Sequence, residues 1–189
     1  VRALALVALV STLAGAEPLF VSVNFTTSGR WLEATPAWAA KKSVKLEGSD
    51  LTLGGTIELM KRLGIARFGG QLGVDAMLWP EDLTVLRAAP LRTAEASDDS
   101  VSSMLFFTLS PYAGLGTTGT GPLAGWVDLL VSLEVLTARV EGERHFAFTA
   151  APTLRLGFAF QADDFAVELS LLGSFFGAQR LTFAMGFRL

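Results

Sequence analysis

The chain has 189 residues, 51% of them hydrophobic and only 17% charged, with a net charge of -3, no Cys and a single His. That length supports one domain of ordinary size rather than two. Zero Cys excludes disulfides, thiolate metal sites and Cys nucleophiles; the lone His145 excludes a multi-His metal site; and the slight acidity argues against nucleic acid as a partner. Mean hydropathy is +0.47, yet beyond the first residues no run of about 18 apolar residues could span a bilayer as a helix.

Residues 1–16 read as a cleavable signal peptide: Arg2 is a positive n-region, Ala3 to Leu13 an apolar stretch, and Ala14-Gly15-Ala16 a small-x-small cleavage site before Glu17. The mature domain is then 17–189. Export without Cys points to a Gram-negative periplasm or outer membrane.

From Leu19 onward the hydrophobic period is two, which predicts strands rather than helices. Leu19 to Thr27 is the first. Asp50 to Met60 places Leu51, Leu53, Ile57 and Leu59 on one face; after a turn at Lys61 to Gly64 the parity switches, and Phe68, Leu72, Val74 and Leu78 continue a hairpin. Val101 to Leu115 follows, with Met104 and Phe106 as exceptions to its alternation. Leu123 to Arg139 is the clearest strand, setting Val127, Leu129, Val131, Leu133 and Val135 against Asp128, Ser132 and Glu134. Phe146 to Phe160, Phe165 to Phe175 and Arg180 to Leu189 bring the count to eight. Short turns at Lys61 to Gly64, Gly116 to Pro122 and Gln161 to Asp164 share one end; long loops, Ser28 to Ser49 and Trp79 to Ser100, share the other.

The expected fold class is therefore all-β, an eight-stranded antiparallel up-and-down barrel. Its polar face decides between a soluble cup and a transmembrane barrel. A water-exposed wall would be rich in Lys and Glu, but the chain has four Lys, three of them at Lys41, Lys42 and Lys45, and the polar strand positions are mostly Gly, Ala, Ser and Thr. Such residues suit a narrow lumen, so the apolar face is expected to meet lipid. Phe68, Phe158, Phe160, Phe165 and Phe187 would form an aromatic girdle at the short-turn end, and Phe25, Phe146, Phe148 and Phe175 one at the long-loop end.

In this pattern the chain resembles the small eight-stranded outer-membrane barrels of Gram-negative bacteria, the outer membrane protein A transmembrane domain, X and W groups. The C-terminus is the most specific piece: Thr182, Phe187 and Leu189 resemble the signal read by the barrel assembly machinery, with Ala184 standing where Gly is usual. The resemblance implies outer-membrane lipid and that machinery as partners.

The lumen is expected to hold a charge network of Glu58, Arg67, Asp75, Asp128, Glu134, Arg155, Glu168, Arg180 and Arg188, with both signs in near balance. Glu58 and Arg67 would lie opposite each other if Met60 paired with Ile65. Isolated lumenal charges need partners merely to be tolerated, so an ion-pair plug is expected rather than a gate. Tyr112 and Trp126 would thicken it. His145 reads as a rim residue; with Ser174 and Glu143 it could alternatively form a lipid A-modifying catalytic set, although no local motif unites the three. No metal or cofactor motif is present. The long loops, 28–49 and 79–100, carry Trp31, Trp38 and the acidic run Glu95, Asp98 and Asp99, and would bind any extracellular ligand. The functional expectation is a porin-like but non-enzymatic barrel with a filled lumen and a structural or surface-interaction role, the alternative being a channel or binding barrel for a small apolar solute.

Overall fold

A computed structural model describes residues 19–38, 43–88, 94–117, 122–162, 165–174 and 179–188. The signal-peptide segment, Leu189, Phe175 and parts of both long connections lie outside the described residues. The strands are β1 (Leu19–Trp38), β2 (Ser43–Leu63), β3 (Ala66–Met77), β4 (Thr84–Ala88), β5 (Ala94–Ser97), β6 (Val101–Gly116), β7 (Leu123–Val140), β8 (Glu143–Ala162), β9 (Phe165–Ser174) and β10 (Gln179–Arg188). Eight of them close an antiparallel ring, β1-β2-β3-β6-β7-β8-β9-β10, with β10 paired back to β1 from Ser22↔Arg188 to Arg30↔Arg180. Closure removes the exposed edges that an open sheet of this length would present. Strands β4 and β5 are additional and continue the sheet from the far end of β2.

The period-two pattern maps onto the wall as an inversion of a soluble core. Phe25 is 71% exposed and Phe148 61%, and Leu72, Leu109, Leu129, Leu156 and Leu181 also face outward. Arg30, Glu58, Arg67, Asp75, Asp128 and Arg155 are buried inside. Among the described residues no helix is long and apolar enough to cross a membrane, which is what a chain whose hydrophobicity is spread over alternating strand positions must give. At the short-turn end Phe165 and Phe187 meet edge to face, centroids 5.6 Å apart, while Phe68 is only half-exposed.

The β2/β3 hairpin is tighter than the sequence suggests. Leu63 pairs with Ala66 around Gly64 and Ile65, and Gly64 has φ +61. A two-residue turn with a glycine in the left-handed region lets the ladder run to its end. Met60 therefore pairs with Gly69 and Glu58 with Gln71, which corrects the expected pairing of Met60 with Ile65.

The far end departs most from expectation. Ser28 to Ser49 is no long loop: β1 and β2 stay paired out to Trp38↔Ser43, with one irregularity between Leu32 and Thr35. Trp79 to Ser100 likewise holds a short 3-10 turn at Pro80–Asp82 and the β4/β5 hairpin. Beyond the ends of β9 and β10, β1 crosses to β8 through Trp38↔Phe146. The extended strands enclose an apolar core that includes Leu46, Leu83, Val85, Val101, Met104, Phe106, Leu136 and Val140. This explains Met104 and Phe106, which point inward into that core. Val101, of apparent outward parity, is buried too, because a register shift between Val101 and Ser103 turns the strand over.

Candidate functional site

Small polar residues, among them Thr26, Thr56, Ser110, Thr153, Ser170 and Thr182, face the interior, and charges enter it at two levels. Nearer the short-turn end, the side chains of Glu58 (β2), Arg67 (β3), Asp128 (β7) and Arg155 (β8) converge. Arg155 donates from Nη2 to Asp128 Oδ2 at 2.6 Å and to Glu58 Oε1 at 3.1 Å, and from Nε to Asp128 Oδ2 at 2.9 Å. Its Nη1 reaches Gln71 Oε1 at 3.5 Å. Arg67 pairs with Asp128 at 3.2 Å and with Glu58 at 3.4 Å. Two guanidinium groups and two carboxylates so interleave that each charge has two partners, the arrangement that low-dielectric burial requires. The β7/β8 register makes this local: Asp128 and Arg155 are directly opposite.

A second cluster sits toward the far end. Asp75 accepts from Arg180 at 2.7 Å, from Arg30 at 3.3 Å and from Thr26 at 3.0 Å, and Arg30 also pairs with Glu134 at 2.6 Å. Arg180 Nε donates to Ser28, whose hydroxyl also contacts Thr182 at 3.1 Å. The guanidinium of Arg30 lies 3.7 Å from the centroid of Phe106, so one residue joins the charged belt to the apolar core above it.

Aromatic rings complete the lower level. Arg155 stacks on Tyr112 at 4.6 Å, and Arg67 on Trp126 at 4.7 Å. Both rings lie over glycines directly opposite them across the ladder, Tyr112 over Gly69 and Trp126 over Gly157. A Cβ at either glycine would overlap the ring. The glycines therefore leave space that a cross-strand aromatic fills, a device that pins register. Between Glu58, Arg67, Trp126 and Glu168 a recess of about 40 Å³ opens toward the short-turn end.

Of the residues expected in the lumen, Glu58, Arg67, Asp128 and Arg155 are brought together, and Asp75, Glu134 and Arg180 form the other cluster. Glu168 lines the recess without a salt bridge to another described residue. The Arg188 side chain lies outside the described residues. Arg30, assigned by its sequence position to a loop, is the residue sequence reasoning missed; the run Thr26, Ser28, Arg30 at alternate positions was the available signal, masked by the loop reading of Ser28 onward. His145 is buried rather than at the rim, opposite Ala138, with no hydrogen-bond partner to Nδ1 among the described residues. Glu143 is exposed at the neighbouring turn, and the Ser174 side chain lies outside the described residues. Thr182 points inward and Phe187 outward. No group of three or more His, Asp or Glu that could hold a metal occurs among the described residues.

An antiparallel eight-strand ring, apolar outside and ion-paired inside, is the architecture of small outer-membrane-type β-barrels. Its fold is similar to the crystal structure of Neisserial surface protein A, NspA, with a TM-score of 0.55 and 10% identity, covering 90% of this chain and 96% of that one. Ail, the attachment invasion locus protein of Yersinia pestis, aligns over 92% of this chain and 99% of its own at 11% identity, with a TM-score of 0.48. No family model and no curated sequence matches the chain.

Proposed function

We propose that this chain is an outer-membrane barrel with a closed lumen, acting as a structural or surface-interaction element rather than as a channel or an enzyme. The observation that carries the reading is the inverted partition of the wall: Arg155 and Asp128 are enclosed while Phe25 and Phe148 stand exposed. In water that arrangement would present an apolar area far beyond what a soluble monomer tolerates; in a bilayer it is the low-energy one. Two Arg–carboxylate levels capped by an apolar core support a plugged interior. In this reading the three short turns face the periplasm, and the extended hairpins of β1/β2 and β4/β5 face outward, where any extracellular ligand would be met.

Planar-bilayer recordings of the refolded protein test the plug, with only leak-level current expected. Discrete channels well above leak would overturn it. Fractionation tests the location: recovery in the membrane fraction with heat-modifiable gel mobility is expected, and a soluble periplasmic protein would overturn the membrane reading.

A further inference from the structure

Above the charged belt the ring divides into two leaves. The β1/β2 hairpin leaves both of its ring neighbours at about the same level, β10 after Arg30↔Arg180 and β3 after Thr52↔Met77. Beyond that level it pairs with β4, from Glu47↔Thr84 to Val44↔Arg87, and β4 pairs with β5. The second leaf is β6, β7 and β8, which stay paired out to Val101↔Val140 and Val140↔Glu143 after their ladders with β3 and β9 have ended. The apolar core lies between the leaves, with Val44, Leu46 and Val85 of the first set against Phe106, Leu136 and Ala138 of the second.

The first leaf joins the ring through a hinge. On β1 the pairing with β2 is irregular between Leu32 and Thr35, and opposite Leu32 stands Gly48, whose φ of +145 would strain any side chain. The crossing from β3 to β4 is the 3-10 turn Pro80–Asp82 rather than a strand. Toward β8 the leaf has one ladder pair among the described residues, Trp38↔Phe146. From there to Thr153↔Ser174, β8 has no neighbour on that side among the described residues, and Thr149 is exposed despite its inward parity. One bridge and the apolar packing therefore hold the leaf shut.

His145 adjoins that bridge. It precedes Phe146, faces the core opposite Ala138 and is 2% exposed, and its Nδ1 has no hydrogen-bond partner among the described residues. The described core residues that both leaves present are uncharged. Lys45 and Glu47 lie on the outer side of the first leaf, alternating with buried Val44 and Leu46, while Arg139 and Arg144 point outward from the second. Glu141 and Glu143 are exposed at the β7/β8 turn, and Asp98 and half-buried Asp99 precede β6. Glu134 is held by Arg30, whose guanidinium lies against Phe106. A neutral imidazole can carry its one proton on Nε2, whereas the imidazolium needs an acceptor for Nδ1–H as well. A charge with an unmet donor in an apolar core is costly.

We propose that the β1/β2/β4/β5 leaf is a lid over the far-end core, latched while His145 is neutral and released in acid, so that the core and the free edge of β8 are uncovered. Opening hands His145 to water, where an imidazole takes up a proton below about pH 6.5. The closed state is therefore fully favoured above that pH and loses ground as pH falls. Proton uptake on opening multiplies the open-to-closed ratio by about 30 at pH 5.0 and by almost nothing at pH 7.5. The lid is separate from the plug, because Arg30 is fixed to Asp75 and Glu134 below the hinge and both charge clusters stay in place when the leaf moves.

The chain has no Cys, so K45C/S103C places one spin label on an exposed position of each leaf. Double electron–electron resonance on the full chain refolded in nanodiscs then reads the separation of the leaves. Between pH 7.5 and 5.0 the open-to-closed ratio is expected to rise roughly tenfold or more, with heat-modifiable mobility retained. Adding H145F should abolish that rise. A distance distribution unchanged between the two pH values overturns the latch. An equal acid response with H145F also overturns it, assigning the titration to another group such as Glu168. Loss of heat-modifiable mobility at pH 5.0 overturns it as well, since the ring rather than the lid would then be opening. Should H145F fail to fold, H145Q, neutral at both pH values, carries the same comparison.

Discussion

Replacing Arg155 by Ala is the sharpest perturbation of the lumen. Arg155 is 2% exposed and Asp128 0%. The substitution removes Asp128's contacts at 2.6 and 2.9 Å and Glu58's at 3.1 Å, leaving Arg67 to face two carboxylates alone, at 3.2 and 3.4 Å. Breaking one side of a buried ion pair costs about 3–5 kcal/mol, and the lost stacking on Tyr112 adds about 0.5–2 kcal/mol. Asp128→Ala should cost about 3–5 kcal/mol by the same reasoning, since it leaves two arginines with one carboxylate. Because each single variant already loses the shared contact, the double variant should fall short of the sum by about 2–3 kcal/mol. Urea titration of the barrel refolded in vesicles, read by heat-modifiable mobility and by Trp fluorescence, measures all three. A coupling below about 0.5 kcal/mol would refute the interleaved pairing and point to a hydrated lumen in which each charge is solvated separately.

Three further outcomes are expected. Leu109→Arg, on the outward face midway along β6, should cost about 2–4 kcal/mol if that face meets lipid, against less than about 0.5 kcal/mol for an exposed site in water; the same urea titration separates them. Gly157→Val should destabilise by about 1–3 kcal/mol through overlap with the Trp126 ring and shift Trp emission to the red, whereas Gly70→Ala, whose added methyl meets nothing within 4 Å, should stay within about 0.5 kcal/mol. Phe106→Ala empties the centre of the far-end core and strips Arg30 of its aromatic face, for a loss of about 3–5 kcal/mol; an unchanged urea midpoint would show that the extended end unfolds apart from the ring.

Much of this barrel is legible in the chain because the strand repeat is exact. A period of two at Leu51 to Leu59 or Val127 to Val135 can only place alternate residues on opposite faces, and the scarcity of Lys and Glu on the polar face says which side is the interior. The inward orientation of Asp128 and Arg155 follows from parity alone. Parity does not give register, however: it left Glu58 four residues from its true cross-strand partner, because a glycine turn of two residues and one of four preserve the same alternation. Nor does it give strand ends. Ser28 to Ser49 carries polar and Pro residues that locally read as loop, and only the pairing of β1 with β2 and the crossing to β8 hold it as sheet. The apolar core around Phe106 was likewise invisible, since Met104, Phe106, Leu46 and Val85 break the rule of a polar interior and are reconciled only when strands distant in sequence fold over one another. Sequence by itself determined which residues face in and out, as a property of one strand's pleat; the tertiary structure decided which charges meet, because that depends on register between strands and on closure of the ring.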